Sequence, residues 1–309
     1  MKNELITDLK RLIKSKAPDS NKGTNGTLTV IAGSAYYRGA AFLAVSAAAR
    51  CGAGIVRLAS TEKVVAACAA KLSECTFLPI EENAAGSISA VHFSDKLSGI
   101  VSSKAVLVGC GMTDCFDTGE IVSRVIREGK GSLVIDADGL NAIKTGPQIL
   151  TEAQSFPIIT PHVGEMARLS GLAVSEIKKE RLKIASDFSK KYRSVVVLKD
   201  YVTTVCSPDG GSFVCNNPNP GLAKGGSGDV LAGMIASFAA QGYGQFDAAV
   251  CGVVLHSLAA ALAAEKMTEY AMLPSDIIRF IPNVFAGLSG RKNKIDSERG
   301  AIYEADDSV

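Results

Sequence analysis

The residues best suited to chemistry lie in Asn219-Pro220-Gly221-Leu222-Ala223-Lys224-Gly225-Gly226-Ser227-Gly228-Asp229, where a glycine-rich turn runs into one carboxylate. The apolar, alanine-rich stretch Val230 to Ala240 that follows reads as a helix. A helix N-terminus offers unpaired backbone N–H groups and partial positive charge, and glycines let that backbone approach an anion without a Cβ in the way. Gly225, Gly226, Ser227 and Gly228 therefore form a candidate anion cradle with Asp229 as a base beside it. The same carboxylate also suits a simpler role, a favourable charge on the helix dipole. No G-x-x-x-x-G-K-[ST] occurs and no G-x-G-x-x-G follows an expected strand, so neither common phosphate-binding glycine loop is present.

Such groups need a scaffold that converges on them. Nearly continuous apolar runs at Leu28–Ile31, Ile55–Leu58, Ala105–Val108, Leu133–Ile135 and Val195–Leu198 read as strands buried on both faces. Helices are expected at about Arg38–Cys51, Thr61–Leu72, Thr118–Glu128, Val174–Lys190, Val230–Ala240 and Ala248–Glu265. That alternation predicts an α/β fold, a mainly parallel central sheet with helices on both faces. Val202–Cys206 and Ser212–Cys215 flank Pro208-Asp209-Gly210-Gly211 and predict a hairpin at a sheet edge. Residues 1–22 read as a helix and connector, 23–290 as one domain, and 291–309 as a polar tail.

Ligands of open α/β sheets gather at the carboxyl ends of strands. The loops there carry Gly33-Ser34, Gly39-Ala40-Ala41, Gly109-Cys110-Gly111, Asp136-Ala137-Asp138-Gly139-Leu140-Asn141, Thr160-Pro161-His162-Val163-Gly164-Glu165 and Lys199-Asp200-Tyr201-Val202-Thr203. Each has a plain structural reading too. The small residues at Gly39–Ala41 permit close helix packing, Asp136 and Asp138 suit helix caps, and Glu165 suits a helix first turn. His162 suits an exposed loop, Lys199 a solvent-reaching strand end, and Lys224 either a surface charge or a phosphate partner.

Composition narrows the function classes. The 309 residues are 47% hydrophobic, enough for a substantial core, and 33 basic against 31 acidic side chains leave no basic field for nucleic acid and no patch for acidic lipid. Eight cysteines without a C-x-x-C pair read as small core hydrophobes in a reducing compartment. Three histidines at unrelated spacing disfavour a zinc site. The N-terminus lacks the apolar core of a signal peptide, and Ala248–Ala264, with His256 and Ser257 inside it, suits a buried helix rather than a membrane span. The expectation is a cytoplasmic protein that binds no membrane.

Taken in order, the loops Asp136–Asn141, Thr160–Glu165 and Asn219–Asp229 resemble those of the ADP- or ATP-dependent (S)-NAD(P)H-hydrate dehydratases, a branch of the ribokinase-like superfamily, over roughly residues 22 to 285. The resemblance implies a three-layer ribokinase-like sandwich. It implies Asp229 as catalytic base in contact with substrate, and Gly225, Gly226, Ser227 and Gly228 as the anion hole. Substrate contacts are implied at Ala40 or Ala41, Gly111 and His162, and nucleotide contacts at Lys199, Asp200, Tyr201, Val202, Thr203 and Gly228. Glu165 falls where superfamily kinases organise Mg2+ through water. ADP or ATP is the implied phosphoryl donor, a homo-oligomer such as a tetramer the implied assembly, and an NAD(P)H-hydrate epimerase the implied functional companion. Two departures stand out: the family's G-P-G-x-G is Gly109-Cys110-Gly111-Met112-Thr113 here, and its K-G-A-x-T is Lys199-Asp200-Tyr201-Val202-Thr203. A kinase of the same superfamily acting on a hydroxymethyl vitamin precursor, or an inactive nucleotide-binding regulator, is the alternative.

Overall fold

In the computed structural model the described residues are 2–289, so the expected polar tail lies outside them. Nine strands form one sheet: β1 (Thr27–Ile31), β2 (Ile55–Thr61), β3 (Thr76–Ile80), β4 (Ala105–Val108), β5 (Ser132–Ile135), β6 (Ile158–Ile159), β7 (Val195–Leu198), β8 (Thr203–Cys206) and β9 (Ser212–Cys215). Their spatial order is β3-β2-β1-β4-β5-β6-β7-β8-β9. The ladders from β3 through to β7 are parallel, while β8 and β9 pair antiparallel as the edge hairpin expected from the Pro-Asp-Gly-Gly turn. Every residue of β4 and β7 is buried, which is what strands covered on both faces require.

Strand order reverses between β1 and β4. The chain leaves β1 for the helix Arg38–Arg50, whose alanines join one core, and leaves β4 for the helix Phe116–Glu128, whose Ile121, Val122, Val125 and Ile126 join the other. The loops after β1 and β4 therefore part to opposite faces and open a crevice between them.

Two strands lie outside the sequence expectation. Pro79 interrupts the apolar pattern of β3, and an edge position tolerates it because no ladder partner is needed on one side. The two-residue β6 is too short to give a pattern. The expected helix Val174–Lys190 is two helices, Val174–Lys179 and Arg181–Tyr192, because Glu180 leaves helical geometry at φ −122°, ψ 40°. A further helix, Pro274–Leu288, covers the alanine-rich face.

The N-terminal helix Lys2–Leu12 places Leu5 and Leu9 in that same core. The helix Gln245–Ala271 is long and apolar enough to cross a membrane by length and composition, yet 78% of its most apolar window is buried inside the fold. All eight cysteines are free, and all but Cys115 are buried.

Candidate active site

The helix Ser227–Ala240 starts at Gly226, whose φ of 101° is left-handed backbone that suits glycine. A Cβ there would stand 2.6 Å from Leu43 Cδ1, so the turn is also closely covered. Every residue of this helix is buried except Gly228 and Asp229, so packing fixes the helix and leaves those two facing outward at its first turn. A Cβ on Gly228 would lie 3.3 Å from Lys199 Nζ and 3.9 Å from Asp136 Oδ2. The Lys199 ammonium thus rests against the glycine cradle rather than reaching solvent.

Lys199 Nζ donates to Asp136 Oδ1 at 2.8 Å, and Thr160 Oγ1 donates to the same oxygen at 2.6 Å. Asp136 is 1% exposed, so its charge depends on these partners. Cys110 Sγ donates to Asp136 Oδ2 at 3.7 Å, and the thiol sulfur with one oxygen each of Asp136 and Asp229 lies within a 4.8 Å group. Burial and the negative Asp136 push the Asp229 carboxyl up to about 6, against the opposing Cys110 thiol and Lys199 ammonium. Burial pulls Lys199 down, but Asp136 and Glu165 outweigh it and hold the ammonium above its ordinary value. The result is a base near neutrality beside a fixed cation and a row of backbone donors.

His162 is neither a free loop residue nor remote from this group. It caps the helix Val163–Ser170: Nδ1 accepts from Gly164 N at 3.0 Å and Glu165 N at 3.2 Å, while Glu165 Oε2 accepts from His162 N at 2.8 Å. That reciprocal capping box fixes both side chains. Accepting at Nδ1 suits a neutral ring, and burial together with Lys199 and Arg168 lowers the His162 pKa. Glu165 is 5% exposed, and burial and Asp136 push it up to about 7 against Lys199, the His162 N–H and Arg168.

Asp229, Asp136, His162, Glu165, Lys199, Asp200, Tyr201, Thr203 and the glycines of the cradle line one cavity of about 1010 Å³; Val202 does not line it. Asp200 accepts from Arg181 Nη2 at 2.7 Å, and the Arg181 guanidinium stacks 4.6 Å from the Tyr201 ring centroid. The bulkier residues of this loop are thus held by a cation that sequence reasoning did not single out. Lys224 also lines this cavity, and its Nζ donates to the carbonyls of Tyr270 and Met272 at 2.6 Å each, closing the end of the helix Gln245–Ala271.

Ala40, Ala41 and Gly111 lie outside that cavity, on the crevice between β1 and β4. Ala41 is fully buried, whereas Ala40 is half-buried, and its Cβ stands 2.8 Å from where a Cβ on Gly111 would be. Gly111 has φ 65°, and Tyr37 Cβ is 2.7 Å from the same point. Neither Asp136 nor Asp138 caps the following helix. Ala137 is the N-cap, at φ 48° and ψ −116°, and Asp138 Oδ2 instead accepts from Thr113 N at 2.8 Å.

Sequence reasoning also passed over Cys110 and His256. Cys110 had a signal, a lone side chain between two glycines at a strand end. His256 had none, being inside an apolar helix; it lines the cavity, burial pushes it down to about 4, and its Nε2 is buried without a partner.

The model of the NAD(P)H-hydrate dehydratase family matches residues 28–283. The chain belongs to that family. An ADP-dependent (S)-NAD(P)H-hydrate dehydratase of Xanthomonas campestris is 35% identical over 269 residues, covering 87% of this chain and 91% of that protein. The bifunctional NAD(P)H-hydrate repair enzyme of Moorella thermoacetica is 34% identical over 87% of this chain, which spans 51% of that longer relative. The crystal structure of the ADP/ATP-dependent NAD(P)H-hydrate dehydratase of Bacillus subtilis, co-crystallised with ATP/Mg2+, superimposes with a TM-score of 0.78 at 26% identity, covering 92% of this chain and 97% of that one. A ribokinase-like superfamily protein of Enterococcus faecalis gives 0.79 at 26% identity, covering 92% of this chain and 94% of that one, so the family fold is the ribokinase-like α/β sandwich.

Proposed function

We propose that this chain restores NADH and NADPH from their S-hydrates by transferring a phosphoryl group from ADP or ATP to the hydrate hydroxyl. The observation that carries this reading is the Asp229 carboxyl, held near neutrality at the first turn of a buried helix, with Lys199 against the adjoining glycine. The names of the relatives at 34–35% identity support the substrate class and the nucleotide.

Hydroxide is a poor leaving group from the hydrated ring. Asp229 accepts the hydroxyl proton as the oxygen bonds to the terminal phosphorus, and AMP leaves from ADP or ADP from ATP. The backbone N–H groups of Gly225–Gly228 and the Lys199 ammonium face the charge that builds on the transferred group. The ring nitrogen lone pair then expels phosphate, and loss of a proton from the adjacent ring carbon restores the double bond.

The carboxylate oxygens of Asp136, Asp229 and Glu165, which line one cavity, fit a hard cation such as Mg2+, while the Cys110 sulfur is a poor donor for that ion. Glu165 would hold Mg2+ through water. When bound, the ion supplies charge neutralisation on the phosphates. The longer relatives named as bifunctional support a companion activity, which we assign to a hydrate epimerase. We also assign a homo-oligomeric state, for which gel filtration with light scattering is the check.

The test is recovery of reduced-nicotinamide absorbance from the S-hydrate, with Mg2+ and either ADP or ATP. Recovery that requires nucleotide and releases inorganic phosphate supports the proposal. A stable phosphoester of a hydroxymethyl substrate, without any recovery from the hydrate, overturns it.

A further inference from the structure

The large cavity lies on one side of Asp229, under β5 to β9, and no residue between Gly33 and Ala41 or between Gly109 and Thr113 lines it. A phosphoryl donor filling that cavity leaves the acceptor to approach from the other side. There the strand order reverses, and the loops after β1 and β4 diverge to opposite faces. Gly33 N donates to Cys110 O at 2.8 Å and Tyr37 packs on Gly111, so the two loops meet along the floor of the crevice.

The rims of this crevice carry side chains that folding alone does not explain. Tyr36 is 79% exposed and Tyr37 55% exposed on the β1 side, and Phe116 is 80% exposed at the start of the helix on the β4 side. Tyr37 is fixed at the crevice itself, since its Cβ and carbonyl oxygen are 2.7 and 3.1 Å from the point where Gly111 would carry a Cβ. Cys110 joins that loop to Asp136 beside Asp229. Arg38 follows Tyr37, and its Nε donates to Ala35 O at 3.3 Å, which holds the cation at the same rim. Aromatic rings stack on bases of any sequence, and an arginine fork matches phosphate oxygens.

We propose that Tyr36, Tyr37 and Arg38 form the platform for the distal half of the dinucleotide acceptor, the rings taking the base beyond the pyrophosphate and Arg38 the phosphates. This rests on the function proposed above. The reacting ring sits at Asp229, and the crevice rim receives the part of the molecule that does not react, leaving the donor cavity to the second nucleotide.

The test measures the wild type first, then Tyr37→Ala, Tyr36→Ala, Arg38→Ala and Tyr37→Phe, with KM for the S-hydrate and for ADP or ATP determined separately. Tyr37→Ala raises KM for the hydrate about tenfold while KM for the phosphoryl donor stays put. Tyr37→Phe keeps the ring and restores KM, and Arg38→Ala weakens the salt dependence of hydrate binding. Calorimetric binding of NADPH to the same variants gives the same order without turnover. An unchanged hydrate KM in Tyr36→Ala and Tyr37→Ala overturns the platform and leaves the repair reading intact, as does a KM rise that accompanies dissociation of an oligomer. A wild type that recovers no hydrate with either nucleotide overturns both.

Discussion

The two faces of the sheet are packed by different means. On one, the helices Arg38–Arg50, Ser227–Ala240 and Gln245–Ala271 meet through alanine and glycine, close enough that a Cβ on Gly233 would stand 2.2 Å from Ala44 O and one on Gly252 2.4 Å from Ile235 Cγ1. Ser237 Oγ ties two of these helices by donating to Ala48 O at 2.8 Å. On the other, Ile121, Ile126, Met166 and Phe188 fill the space with bulk. The close face presents Asp229; the bulky face carries Asp138, His162 and Glu165 on short helices; Lys199 stands at a strand end between them. Asp229, the base of the proposed reaction, is held where backbones interlock, and the groups that tune it come from the layer with more room.

This contrast breaks most severely at the base. Asp229→Asn is expected to lower turnover by about 10²–10⁴-fold while the unfolding midpoint does not fall, checked by hydrate-recovery kinetics alongside denaturant titration. Next is the seam: Lys199→Met leaves Asp136 buried without its cation and is expected to cost about 3–5 kcal/mol, read from the urea midpoint.

Glu165→Gln sharpens the comparison by acting in the opposite direction. The folded carboxyl is raised from 4.5 to about 7, so between those values the folded chain binds more protons than the unfolded one, and stability falls as pH rises. The glutamine removes that slope, stabilising by roughly 2–3 kcal/mol above pH 7 and little near pH 4; equal melting shifts at both pH values would contradict it. Asp229, raised to about 6, gives the matching kinetic limb: activity declines as pH drops through about 6 because the base becomes protonated.

The smallest effects separate the faces themselves. Gly233→Ala is expected to cost about 1–3 kcal/mol because its methyl meets backbone, and Ile121→Val about 1 kcal/mol because only one methylene is lost. Equal costs in chemical denaturation would erase the distinction between the two modes of packing.

Sequence made the sheet legible wherever burial on both faces writes a continuous apolar run, as in β4 and β7, and hid it where β3 carries Pro79 or β6 has only two residues. It also exposed the cradle, because a glycine turn followed by an aspartate and an apolar helix is local. The grip of Asp136 on Lys199 joins residues 63 positions apart, and the Arg181 clamp on Asp200 joins the start of a helix to the end of the next strand, so neither pairing is written in any one segment. Cys110 reads as core by composition and takes its place beside two carboxylates only because β4 and β5 are neighbours.

Ala137 bears on how such a protein can be improved. Its φ of 48° and ψ of −116° suit glycine, yet a methyl-bearing residue stands there between Asp136 and Asp138. A search for thermostable variants would favour Ala137→Gly at this point, since it relieves local strain of about 1–3 kcal/mol. Because the same residue separates Asp136, which grips Lys199, from Asp138, which accepts from Thr113 N, a screen on melting temperature needs hydrate recovery read beside it.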